Sequence, residues 1–233
     1  MSVQAVAHRG DPYHARENTL ASFRSAVAAG ADAVELDVRR SADGVPVVVH
    51  DATLERLWGH RRAVAELTAE EIRELTGGGV PVLDDALAVT SSVRTLIDLP
   101  ERSAGTALAA LAAVRRAGAA GRVYYSGDPV ALRAVRTADP DAEISLTWHR
   151  TARPRGTLLD ELRPRWLNYP FGLVTARTVA EDHGRGLLVA AWTVDSPRVM
   201  RRLVALGADS VTTNRIGALR AVLARRDRGV NPG

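Results

Sequence analysis

The sequence predicts an α/β protein folded as a TIM (β/α)8 barrel, on three observations. Short apolar runs ending in polar residues recur along the chain, capped helical patterns lie between most of them, and the length of 233 residues is near the about 250 of one such barrel. Strand, helix, strand repeated to the end argues for a parallel sheet, and the number of units favours a closed barrel over an open doubly wound sheet. One domain over residues 1–233 is expected.

The strand candidates are AVAHR at 5–9, AVELDV at 33–38, PVVVHD at 46–51, TLIDL at 95–99, VYYSGD at 123–128, ISLTWH at 144–149, WLNYP at 166–170, VAAWTVD at 189–195 and SVTTN at 210–214. Their near-continuous apolar character marks strands buried on both faces. Between them, Asn18-Thr19 caps a helix with Leu20, Phe23 and Val27 on one face and Gly30 at its end. Thr68 with Glu71 reads as a capping box, and Asp128-Pro129 and Ser196-Pro197 each read as an N-cap followed by proline in the first turn. Gly207 ends the last of these helices.

Nine strand candidates compete for eight barrel places. The link from Asp37 to Val47 is too short for a helix, whereas parallel neighbours need about a dozen residues or more, so an irregular corner is expected there. Residues 52–83 lack strand signals and read as a short insertion that caps the site.

A composition of 46% hydrophobic and 25% charged residues excludes disordered and collagen-like chains. The net charge is +4 and the pI about 10.2, with the arginines spread along the chain; such a surface attracts anions, a phosphodiester among them. No helix-turn-helix, zinc-finger or RNA-binding pattern accompanies it, so specific nucleic-acid binding is not expected. Arg225-Arg226-Asp227-Arg228 reads as a solvated helix end. The absence of cysteine rules out disulfides and thiolate metal sites. Met1 to Val6 leaves no room for a signal peptide before His8, and no apolar run nears the roughly 18 residues of a membrane span; a cytoplasmic location is expected.

In a parallel barrel the site forms at the C-terminal strand ends. Glu35 and Asp37 are two apart on a strand and point to one side, where they repel unless a positive charge lies between them. All-oxygen ligands suit Mg²⁺ or Ca²⁺, and the bland alternative is an ion pair with an arginine such as Arg39. Asp98 lies in an apolar run where an unpaired carboxylate is costly. His8 and His50 directly follow apolar runs, and imidazoles exchange protons near pH about 6.5. Arg9 offers a forked donor for phosphate oxygens.

Several of these residues recur in one ordered set: His8-Arg9-Gly10, Glu17-Asn18-Thr19, Gly30-Ala31-Asp32, Glu35-Leu36-Asp37-Val38, Asp43-Gly44 and Val48-Val49-His50-Asp51. In this order and spacing they resemble the glycerophosphodiester phosphodiesterase family. Trp192 to Asp195, Gly207 to Asp209 and Thr212 to Asn214 resemble the family's last two strands.

The resemblance implies a barrel of the phospholipase-C-like (PLC-like) phosphodiesterase type, cleaving a glycerophosphodiester to sn-glycerol 3-phosphate and an alcohol. It implies one divalent cation on Glu35, Asp37 and Asp98, proton transfer by His8 and His50, and substrate contacts from Arg9, Glu17 and Asn18. Asn18 also reads as a simple cap, and Trp192 as either pocket lining or packing. In the family's third metal carboxylate region Glu-x-Lys is usual; here Asp98-Leu99-Pro100 puts proline in the place of a phosphate-contacting lysine. This departure leaves three alternatives: an arginine from another loop covers the phosphate, the substrate differs, as in a lysophospholipid or sphingolipid diester, or turnover is weak or lost, as in a phosphate-binding homologue.

Overall fold

A computed structural model describes residues 3–230. In chain order, β1 (Gln4–Ala7), α1 (Leu20–Ala28), β2 (Ala33–Arg40) and β3 (Pro46–Val48) lead into an excursion. It holds β4 (Thr53–Leu54), α2 (Glu55–Trp58), β5 (His60–Ala63) and α3 (Ala69–Leu75). The chain returns through α4 (Leu83–Val89), β6 (Arg94–Leu99), α5 (Ala104–Arg116), β7 (Val123–Gly127), α6 (Pro129–Ala138) and β8 (Glu143–Thr147). It ends with α7 (Gly156–Leu162), β9 (Trp166–Pro170), α8 (Ala176–His183), β10 (Leu188–Trp192), α9 (Pro197–Leu206), β11 (Ser210–Thr213) and α10 (Ile216–Val230).

Eight of these strands, all parallel, close on themselves: β2, β6, β7, β8, β9, β10 and β11 follow in order, and β1 pairs with both β11 and β2. The ninth candidate is β3. It runs antiparallel to β2, with Val38 opposite Val48 and Arg40 opposite Pro46. An antiparallel partner needs only a tight turn, which Ser41 ties by accepting from the Val45 N–H at 2.9 Å. The irregular corner is thus a hairpin that leaves the barrel and carries His50 at its return.

The excursion differs from expectation in holding a two-stranded antiparallel pair, β4 with β5. His60-Arg61-Arg62-Ala63 has no apolar run to announce a strand. Its apolar residues Leu54, Val64, Leu67, Ile72 and Val80 pack with Val47 and Val49 in a cluster of their own, separate from the main core.

Strand alternation decides where the site lies. Side chains two apart on a strand face the same way. The inward layer Val6, Ala33, Leu96, Tyr124, Trp166 and Ala190 forms a buried apolar cluster. Two residues further on, His8, Glu35, Asp98, Ser126, Asn168 and Trp192 line one cavity. The intervening residues, such as Val34, Leu36, Ile97, Leu99 and Tyr125, join the main core. An apolar floor under a polar layer is therefore written into the period of two.

Most helix ends follow the sequence. Thr19 caps α1 by accepting from the Ser22 N–H, Thr68 and Glu71 form the capping box of α3, Asp128 caps α6 ahead of Pro129, and Gly207 ends α9 at φ 91°. Ser196 departs from expectation: it holds the N-cap position of α9 without a side-chain hydrogen bond. The side chains of Asp227 and Arg228 lie outside the described residues. Among the described residues no helix is long and apolar enough to cross a membrane.

Candidate active site

The loop after β1 is built around Gly10. Arg9 and Gly10 both adopt left-handed backbone, at φ 55° and 85°, and a Cβ on Gly10 would sit 2.2 Å from Ser22 Oγ and 2.7 Å from the Ser22 carbonyl carbon. Clash and strain add here, so Gly10→Ala is expected to cost at least about 2 kcal/mol of stability, measured by denaturant unfolding. The turn aims the Arg9 N–H at Glu35 Oε2, 2.8 Å away. It also sets the guanidinium between Glu17 (Nη1 to Oε1, 2.9 Å) and Asp37 (Nε to Oδ2, 3.1 Å).

Glu35 and Asp37 come from β2 and Asp98 from β6, with Asp37 and Asp98 in register. Burial raises the Glu35 carboxyl well above the usual range, and Asp37 and Asp98 add to the shift. Asp98 is raised to about 6, first by burial and then by Asp37, against the hydrogen bond donated by Ser126 Oγ at 2.6 Å. The three carboxylates face a cavity that, among the described residues, Arg9 alone lines as a guanidinium.

Excess negative charge and all-oxygen donors fit a hard divalent cation. Each carboxylate is, however, hydrogen-bonded to a neighbour. Among the described residues no group of three or more His, Cys, Asp or Glu is disposed as it stands to hold an ion.

A raised carboxyl pKa means stability present below the unfolded value and lost as pH rises through the folded value. At pH 7.5 Asp98 lies above both. Asp98→Asn, which still accepts from Ser126, is therefore expected to stabilise the chelator-treated protein by about 1–3 kcal/mol, read as a higher melting temperature at pH 7.5 that fades at pH 4.

The two histidines are held differently. His8 Nδ1 lies 2.7 Å from Asn214 Oδ1, and Asn214 is itself fixed by Asp195, which accepts from its backbone N–H and its Nδ2, each at 2.9 Å. With Nδ2 committed, the Asn214 oxygen must accept, so His8 Nδ1 bears the proton and Nε2 is the free base. Burial, then Arg9, lowers the His8 pKa from 6.5. His50 Nδ1 instead meets Asp51 Oδ1 at 2.7 Å. Burial opposes ionisation of Asp51, but hydrogen bonds from Arg56 and His50 outweigh it and hold the carboxyl below its usual range. Arg56, from the excursion, bridges Asp51 and Glu17 at 2.5 Å each.

His8, Arg9, Glu35, Asp37, His50, Asp98 and Trp192 line one cavity of about 400 Å³. Glu17 and Asn18 do not line it. Glu17 holds Arg9 and Arg56, and Asn18 is buried at φ 57° with Nδ2 donating to Asp37 Oδ2 at 2.7 Å; Thr19, not Asn18, is the cap. Arg39 bonds the His50 carbonyl and Glu101, leaving Glu35 and Asp37 to Arg9. His183 ends α8 against Asp209 as a helix-end residue.

Sequence reasoning missed Ser126, Asp128, Thr147, His149, Asn168 and Thr212, which also line the cavity. Position at or just past a strand end would have found them. Pro100 lines the cavity as well, and no second arginine does among the described residues.

The profile of the glycerophosphoryl diester phosphodiesterase family matches residues 8–218. A glycerophosphodiester phosphodiesterase of Caldanaerobacter subterraneus is 28% identical over 92% of this chain and 95% of its own. A Silicibacter pomeroyi structure named for the same family superposes with a TM-score of 0.88 at 28% identity, covering 97% of this chain and 94% of that one. An Oleispira antarctica phosphodiesterase, solved with its product sn-glycerol-3-phosphate, shares the fold at 23% identity and a TM-score of 0.84, over 95% and 96% of the two chains. A match spanning nearly the whole barrel, from the first histidine of the cavity into the last helix, places the chain in the glycerophosphoryl diester phosphodiesterase family.

Proposed function

We propose that the protein hydrolyses glycerophosphodiesters to sn-glycerol 3-phosphate and an alcohol, with Glu35, Asp37 and Asp98 holding one divalent cation, Mg²⁺ or Ca²⁺. The observation that carries this is the convergence of two differently anchored histidines, a guanidinium and three carboxylates, Glu35 and Asp37 buried and Asp98 half-buried, on one cavity. When bound, the cation polarises the phosphoryl group as a Lewis acid.

The chain's own residues do the rest. Arg9, fixed at Glu17 and beside Asp37, presents a fork suited to phosphate oxygens. His8 Nε2 takes the proton of the nucleophile, either water or the neighbouring glycerol hydroxyl whose cyclic phosphate water then opens, and His50 Nε2 gives one to the leaving alcohol oxygen. A base whose pKa is lowered stays neutral to more acid pH, so the acid limb of the kcat/KM profile is expected below 6.5, the ordinary histidine value.

The test is release of glycerol phosphate from glycerophosphocholine and glycerophosphoethanolamine with Mg²⁺, Ca²⁺ or chelator. Metal-dependent release supports the reading. Turnover in chelator removes the cation from it, and binding without release leaves a phosphate-binding homologue.

A further inference from the structure

Arg56 does not line the cavity, yet it holds the supports of two groups that do. It belongs to the short helix α2, which starts after the fully buried Leu54 and ends at Gly59 with φ 77°. Trp58 of the same helix packs on the excursion's own cluster and against Gly79, where a Cβ would strike the indole ring. The Arg16 guanidinium stacks 4.4 Å from the centre of that ring. Arg16 and Glu17 of the loop after β1 thus meet Trp58 and Arg56 of α2, and these two contacts tie the excursion to the barrel.

The Arg56 guanidinium faces two carboxylates. Its Nε donates to Asp51 Oδ2 and its Nη2 to Glu17 Oε1, each at 2.5 Å. Asp51 turns its other oxygen, Oδ1, to His50 Nδ1 at 2.7 Å, so the carboxylate that anchors the imidazole is itself held from behind. Glu17 Oε1 also accepts from Arg9 Nη1 at 2.9 Å. Two lines therefore leave one planar fork, one through Asp51 to His50 and the other through Glu17 to Arg9. Burial opposes ionisation of Glu17, but the hydrogen bond from Arg56, followed by the charge of Arg9, outweighs it and keeps the carboxyl below its usual range. A rigid fork suits two carboxylates at once in a way that a single ammonium does not.

We infer that Arg56 is a positioning residue that holds the proton donor His50 and the phosphate-binding Arg9 in one fixed relation. This rests on the phosphodiesterase reading above and adds a residue to its machinery. In that reading Arg9 meets the phosphate oxygens while His50 protonates the oxygen that departs, so the distance between the two groups must match the substrate. Misplacing either by about 1 Å is enough to cost rate. The excursion is then part of how the site is assembled, beyond covering it.

The experiment measures kcat and KM of Arg56→Ala and Arg56→Lys, each checked for an unchanged melting temperature, on glycerophosphocholine and on a glycerophosphodiester with a nitrophenyl leaving group. The Arg56 side chain is 46% exposed, so its removal leaves the core closed. Arg56→Ala is expected to lower kcat on glycerophosphocholine about tenfold to a hundredfold and to leave kcat on the nitrophenyl diester nearly unchanged. It raises KM for both by about threefold to tenfold. Added to Asp51→Ala, it raises KM with no further loss of kcat; added to Glu17→Ala, it lowers kcat with no further rise in KM. Arg56→Lys, with one point charge for two carboxylates, recovers one of the two parameters and not both, and it decides alone if Arg56→Ala does not fold. Unchanged kinetics in Arg56→Ala, an equal loss of kcat on both diesters with KM unchanged, or full recovery in Arg56→Lys overturns the inference and leaves the phosphodiesterase reading standing. Turnover of neither diester by wild type overturns both.

Discussion

Replacing His50 by alanine is expected to lower kcat on glycerophosphocholine by about 10²- to 10⁴-fold, the range for losing a positioned general acid. His50 enters from the hairpin return, not from a barrel strand, and its Nδ1 is anchored on Asp51. Nε2 is therefore the atom left to trade a proton. The imidazole is partly exposed, its side chain at 40%, so its loss leaves the melting temperature nearly unchanged. A diester with a nitrophenyl leaving group, which departs without protonation, separates roles: it should be hydrolysed by His50→Ala almost as well as by wild type. An equal loss on both substrates would assign His50 elsewhere.

Glu35→Gln is expected to lower kcat/KM by about 10²- to 10³-fold at fixed Mg²⁺. The amide oxygen still accepts the Arg9 N–H that Glu35 now receives at 2.8 Å, so the loop after β1 keeps its shape. What is lost is one of three charges facing the cavity. Calorimetric titration of Mg²⁺ or Ca²⁺ provides a readout independent of turnover, and weakened binding in step with the rate supports the cation site. Unchanged metal binding with a lost rate would give Glu35 another task, that of fixing Arg9.

The barrel was legible because its strands are apolar on both faces and its helices carry their own caps. The sequence also showed that one strand had no room in a parallel sheet, and β3 resolved this by pairing antiparallel with β2. The β4–β5 pair was illegible because His60 to Ala63 offers neither alternation nor an apolar run. Of the cavity's residues, Glu35, Asp37, Asp98, His8, His50 and Arg9 were readable from strand placement and from the ordered motifs, whereas Asp128 and His149 were not.

Their supports were not. The Arg56 bridge spans 39 positions to Glu17, and Asn214 reaches His8 across 206, distances over which no local pattern speaks. Asn18 was ambiguous for a different reason: a short amide serves equally well as a helix cap or as a buried tie, and only the course of the chain decided for Asp37.

The alternation that sets a polar layer over an apolar floor has a consequence for how this chain can drift. Odd and even positions of a barrel strand answer to separate pressures, chemistry on one parity and helix packing on the other. Removing one residue from β6 would exchange them, sending Asp98 among the helices and Ile97, now fully buried in the main core, into the cavity. Point changes can accumulate on either parity independently. Length changes are confined to the loops, and the excursion after β3 is where this chain has room for them.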